Sequence, residues 1–112
     1  MIRRQTQVLR CVAVIGLLVF SAVASRGQSA GEALFKSKCA MCHGPDGKGE
    51  VPMGKKLGAR NLGSQEVQSQ SDAQLADIAS KGKNKMPAYE GKLSKEQIAQ
   101  LVAYVRELGK KR

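Results

Sequence analysis

Cys39-Ala40-Met41-Cys42-His43 is the stretch on which the reading of this chain turns. Two thiols three residues apart, followed at once by an imidazole, make the pattern C-x-x-C-H; on a helical turn the two sulfurs share one face. That arrangement suits addition of both thiols to the vinyl groups on one edge of a haem, with the histidine directed at the iron. Other uses of paired cysteines fit less well. A thioredoxin-like dithiol belongs with a βαβ pattern, and no strand alternation is visible. A structural zinc site takes four ligands, whereas beyond residue 24 the chain offers two cysteines and one histidine.

Working outward, residues 30–40 carry Ala33, Leu34 and Phe35 ahead of Cys39 at helical spacing, so a helix leads into the motif. Residues 44–63 (GPDGKGEVPMGKKLGARNLG) have no apolar period and read as a long loop with at most a short turn of helix. Ser71-Asp72-Ala73-Gln74 is a capping-box pattern opening a helix through Leu75, Ile78 and Ala79 toward Gly82. A second box, Ser94-Lys95-Glu96-Gln97, opens an amphipathic helix with Ile98, Leu101, Val102, Val105 and Leu108, which Gly109 is predicted to stop. The segment KGKNKMPAYEGK between these helices is irregular and basic, and Pro87 drives Met86 away from helical geometry.

His43 is the single histidine in the chain, which excludes a second histidine across the iron. Met41 lies inside the attachment motif and Met53 is close to His43 in sequence; Met86, 43 residues downstream, is the natural sixth ligand. A thioether favours ferrous iron, so His43/Met86 ligation raises the reduction potential relative to two histidines. With both axial positions filled there is no site for oxygen or peroxide. The expected function is therefore electron transfer, not enzymatic catalysis.

Bulk properties agree. The chain has 112 residues, room for one domain at the small end of what a hydrophobic core stabilises alone, and it holds two Phe, two Tyr and no Trp. A bound haem would fill the core that these side chains leave short. Arg3, Arg4 and Arg10 precede an apolar stretch from Cys11 to Val23 that ends in Ala22-Val23-Ala24, so residues 1–24 read as a signal peptide cut at Ala24–Ser25. The 15 residues between Arg10 and Arg26 are short for a membrane span; membrane association is expected only if the segment stays uncleaved. Of the 19 basic residues three lie in the leader and none of the nine acidic ones do, so residues 25–112 keep a net charge of +7. The expected compartment is the periplasm, where thiols tend to oxidise. Nucleic-acid binding is not expected of an exported chain with so few aromatic residues for stacking.

Residues 30–109 resemble the small bacterial class I cytochromes c, close to the oxidase-associated cytochrome c domain. The likeness rests on Gly31 and Phe35, the CAMCHG motif, Pro52 in the Gly-rich loop, the segment KMPAY, and Leu101 with Tyr104. It implies an all-α fold, three main helices and loops around one covalent haem c, as a single domain over residues 25–112. It further implies a close crossing of the first and last helices, with Gly31 and Phe35 against Leu101 and Tyr104. Pro52, or alternatively Pro45, would offer a carbonyl to the second imidazole nitrogen of His43. Asn84 would lie near the methionine sulfur, and Arg60 and Asn61 near a haem propionate. Lys81, Lys83 and Lys85, with Lys55, Lys56 and Arg60, would either steer the protein to acidic redox partners or form an ordinary solvated surface. Three functions stay in view: a free periplasmic carrier first, a haem subunit tightly bound in a larger oxidoreductase or terminal oxidase second, and a haem enzyme or gas-binding protein with an open sixth position third.

Overall fold

Ser71 and Ser94 open two helices by the same reciprocal pair of hydrogen bonds, where the sequence predicts them. In the computed structural model, which describes residues 30–111, Ser71 Oγ accepts the N–H of Gln74 at 3.1 Å, and the Gln74 side-chain oxygen accepts the N–H of Ser71 at 2.8 Å. Ser94 and Gln97 repeat the arrangement at 3.1 and 2.8 Å. Each box satisfies backbone donors that a first helical turn leaves without partners. In chain order the helices are α1 (residues 30–38), α2 (Ala40–His43), α3 (Pro52–Leu57), α4 (Gln65–Gln68), α5 (Asp72–Lys81) and α6 (Lys95–Lys110). No strand occurs among the described residues. The predicted leader, residues 1–24, lies outside them, and no described helix is long and apolar enough to cross a membrane.

The core forms where α1 meets α6. Phe35 is 1 % exposed, and its ring centroid lies 5.2 Å from that of Tyr104 at an interplanar angle of 51°, a tilted contact of the favourable kind. Leu93, Ile98, Leu101 and Leu108 complete the cluster. Gly31 permits the approach: a methyl group there would overlap the Gln100 carbonyl oxygen and come within 3.1 Å of Tyr104 Cβ.

Three local features differ from the sequence expectation. Residues 44–63 contain α3, started by Pro52 at its first position, where the missing N–H costs nothing. The short helix α4 is capped by Ser64 and buries Val67 at 3 % exposure, but four residues carry no readable period. Finally, α6 runs through Gly109 to Lys110. Gly109 is a packing residue: a Cβ there would fall 2.7 Å from the Gln68 side-chain oxygen, so its bare backbone gives the Gln68 amide room. That amide donates to the carbonyls of Leu62 at 2.7 Å and Val105 at 2.9 Å, tying α6 to the loop before α4.

Arg106 makes the other tie. Its guanidinium donates to the carbonyls of Gln68 at 2.9 Å and Gln70 at 2.5 Å and to Asp72 at 2.9 Å, so one side chain fixes the turn between α4 and α5 against α6.

Candidate haem site

The attachment motif sits where α1 passes into α2. Cys39 N–H donates to Phe35 at 2.8 Å, and His43 N–H donates to Cys39 at 3.0 Å, so the chain keeps helical hydrogen bonding across the slight break at Cys39. Positions 39, 42 and 43 therefore lie on one face. All three are half-buried, while Met41 between them is 76 % exposed. Both sulfurs are free thiols, and burial, with a smaller contribution from Cys42, pushes the Cys39 thiol up to about 11.

His43 is held by a backbone acceptor the sequence did not indicate. Its Nδ1 lies 3.1 Å from the carbonyl oxygen of Arg60, whereas Pro52 belongs to the first turn of α3. The expected Pro52 or Pro45 carbonyl is thus replaced by that of Arg60. Because a carbonyl only accepts, Nδ1 carries the proton and Nε2 keeps its lone pair. Burial lowers the imidazole's pKa and so favours the neutral, metal-binding form, against the smaller opposing pull of the Arg60 carbonyl.

The loop that brings Arg60 to His43 is folded tightly onto the motif. Gly49 N–H donates to the His43 carbonyl at 2.7 Å, and Leu62 N–H to Gly47 at 2.8 Å. Gly54 of α3 lies so close to α2 that a methyl group there would overlap the Cys42 carbonyl oxygen and come within 2.6 Å of that of Gly49. The Arg60 side chain pairs with Glu66, and Asn61 Oδ1 accepts the Gly63 N–H at 2.9 Å.

Met86 reaches the site from a tight turn after α5. Lys83 and Met86 exchange backbone hydrogen bonds of 3.2 and 2.9 Å, with Asn84 at φ +53°, the left-handed region that asparagine tolerates. Gly82, at φ +74°, is required twice over, because a Cβ would also lie 2.5 Å from the Met86 carbonyl oxygen. Asn84 lines the same cavity as Met86.

Cys39, Cys42, His43 and Met86 all line one cavity of about 430 Å³. Its walls are mainly apolar, from Phe35, Leu57, Leu62, Val67, Leu75, Ile78, Leu101 and Val105, with α5 and α6 supplying the last four. A cavity of that size and polarity, with two thiols and an imidazole on one short helix, fits a large flat apolar group with a metal at its centre. Lys38, Lys83, Lys85 and Arg60 contribute to the lining, whereas Lys81 is paired with Asp77 at 2.9 Å on α5. Tyr89 and Gln70 also line the cavity, each reaching it from a segment without apolar periodicity.

Residues 27–105 match the family described as cytochrome c oxidase, cbb3-type, subunit III. The chain is 40% identical over 80 residues to a cytochrome c6 of Nostoc sp., covering 71% of this chain and 68% of that protein. It is 36% identical over 81 residues to the cbb3-type cytochrome c oxidase subunit FixP of Bradyrhizobium diazoefficiens, covering 70% of this chain but only 27% of FixP. Among solved structures, the KustC0563 c-type cytochrome superposes with a TM-score of 0.65 at 32% identity, covering 70% of this chain and 95% of that one. Cys39 and Cys42 fit the haem-attachment pattern of such proteins. The chain belongs to this family: it is a small class I c-type cytochrome, with one covalent haem c as its cofactor and electron transfer as its function.

Proposed function

We propose that this cytochrome is an exported single-electron carrier in which His43 and Met86 are the two axial ligands. Cys39 and Cys42 tether the cofactor by adding their S–H groups across its vinyl bonds, and His43 presents Nε2 because Arg60 engages Nδ1. Met86 presents its sulfur from the turn that Gly82 and Asn84 shape. When bound, the haem supplies a one-electron iron couple. Two protein ligands on the iron exclude small oxidants, so the chain moves electrons and is not an enzyme. Residues 1–24 direct export and are removed after Ala24, leaving residues 25–112 as the working domain in the periplasm. Protein redox partners with acidic surfaces dock beside Lys38, Lys83 and Lys85.

The observation that supports this most is that four residues of the right chemistry, drawn from segments 43 residues apart, line a single apolar cavity. The similarity to FixP favours a second reading, a haem subunit held within an oxidase complex. The carrier is expected to purify as a free monomer that exchanges electrons with soluble partners; co-purification as a fixed subunit favours the complex.

The ligand assignment is tested in the ferric protein after expression with the cytochrome c maturation machinery. The wild type is expected to show a methionine–iron charge-transfer band that Met86→Ala abolishes. A high-spin wild type overturns the assignment, and exported protein whose denatured band takes no haem stain overturns covalent attachment.

A further inference from the structure

The Met86 turn is anchored almost wholly to the helix that precedes it. Lys83 and Met86 pair with each other, Tyr89 N–H donates to Ala79 at 3.1 Å, and Glu90 N–H donates to Ser80 at 3.0 Å, both acceptors being in α5. None of these bonds fixes Met86 relative to Cys39 and His43. One bond does. The Tyr89 hydroxyl donates to the carbonyl of Lys38 at 2.9 Å, across 51 residues of sequence, at the last residue before the attachment motif. Among the described residues no other hydrogen bond joins segment 82–93 to residues 30–43.

Tyr89 is held at its other atoms as well. Its carbonyl accepts the N–H groups of Lys92 at 3.0 Å and Leu93 at 2.9 Å, its ring packs on the core cluster, and the Lys92 ammonium lies 5.8 Å from the ring centroid. The ring therefore acts as a fixed strut between the methionine turn and the end of α1.

The geometry points to Tyr89 as the positioning residue that keeps Met86 on the iron, through the Tyr89–Lys38 hydrogen bond. The inference rests on the His43/Met86 reading. Without the hydroxyl, the turn remains folded on α5 but swings more readily away from α2, and the methionine-off state becomes more populated. An added ligand binds only that state, so its apparent affinity rises with the population.

The test is imidazole titration of the ferric holoprotein, followed by loss of the methionine–iron charge-transfer band. Tyr89→Phe is expected to lower the half-displacing imidazole concentration about five- to tenfold, the factor a lost intramolecular hydrogen bond corresponds to. Ile98→Val serves as the comparison: it destabilises the buried core by a similar amount and lies outside the cavity lining. It is expected to leave the titration unchanged. As a second measurement, amide exchange at Lys83 and Met86 is expected to quicken in Tyr89→Phe while that of Leu101 in α6 does not. Equal titrations for Tyr89→Phe and wild type, or equal shifts in Tyr89→Phe and Ile98→Val, overturn the inference alone. A wild type lacking the band overturns it together with the ligand assignment.

Discussion

Replacing Gly31 by alanine tests whether the crossing of α1 and α6 governs stability. The added methyl would overlap the Gln100 carbonyl oxygen, with the carbonyl carbon at 3.0 Å and Tyr104 Cβ at 3.1 Å. Carbon atoms rest about 3.5–4.0 Å apart, so the helices must part by roughly 0.5–1 Å. The obstacle is backbone and has no rotamer to change. Parting them loosens the Phe35–Tyr104 contact, now 5.2 Å between centroids, throughout the buried cluster. Overpacking of this kind costs about 1–3 kcal/mol, of which alanine's better helix propensity returns about 0.5–1. A net loss of about 1 kcal/mol lowers Tm by roughly 4–8 °C in a domain of this size. Thermal unfolding of the holoprotein followed by circular dichroism measures it. Gly91→Ala is the control, since a methyl there meets nothing within 4 Å and bears only the strain of φ +82°. A Gly31→Ala protein melting within about 2 °C of wild type would refute the argument.

Gly54→Ala should act locally, pushing α3 from α2 and loosening the loop that carries the Arg60 carbonyl; Nδ1 of His43 then loses its acceptor, the imidazole becomes a weaker donor, and a rise in reduction potential by voltammetry checks this. Arg106→Met should cost about 1.5–3 kcal/mol in urea unfolding, because the Gln68 and Gln70 carbonyls lose a charged donor. Lys83→Glu with Lys85→Glu should slow electron exchange with an acidic partner and flatten its dependence on ionic strength, as stopped-flow rates at two salt concentrations would show. Ser94→Ala should cost about 1 kcal/mol of stability without changing the haem spectrum, since the cap serves α6 alone.

Chemistry that is local in the chain was legible in the sequence. The C-x-x-C-H spacing holds both sulfurs and the imidazole to one helical face, and it needs no distant partner to be read. The two capping boxes were likewise readable, because Ser71 with Gln74 and Ser94 with Gln97 satisfy each other within four residues. The apolar repeat of α6 marked the buried side chains Ile98, Leu101, Val102 and Leu108 for the same reason. The tertiary structure alone decided what closes the site around them. The acceptor for His43 is a main-chain carbonyl, which every residue possesses, so no side chain could single out Arg60 over Pro52. Gly109 carries the composition of a helix stop, yet it serves as the seat for Gln68, a role that exists only once α4 lies beside α6. Tyr89 and Lys38 are 51 residues apart in an aperiodic loop and a helix end, and their hydrogen bond depends on how α5 returns the chain. Local hydrogen bonding and periodicity therefore name the attachment residues, whereas backbone acceptors and close approaches between segments set the position in which the attachment residues and Met86 face one cavity.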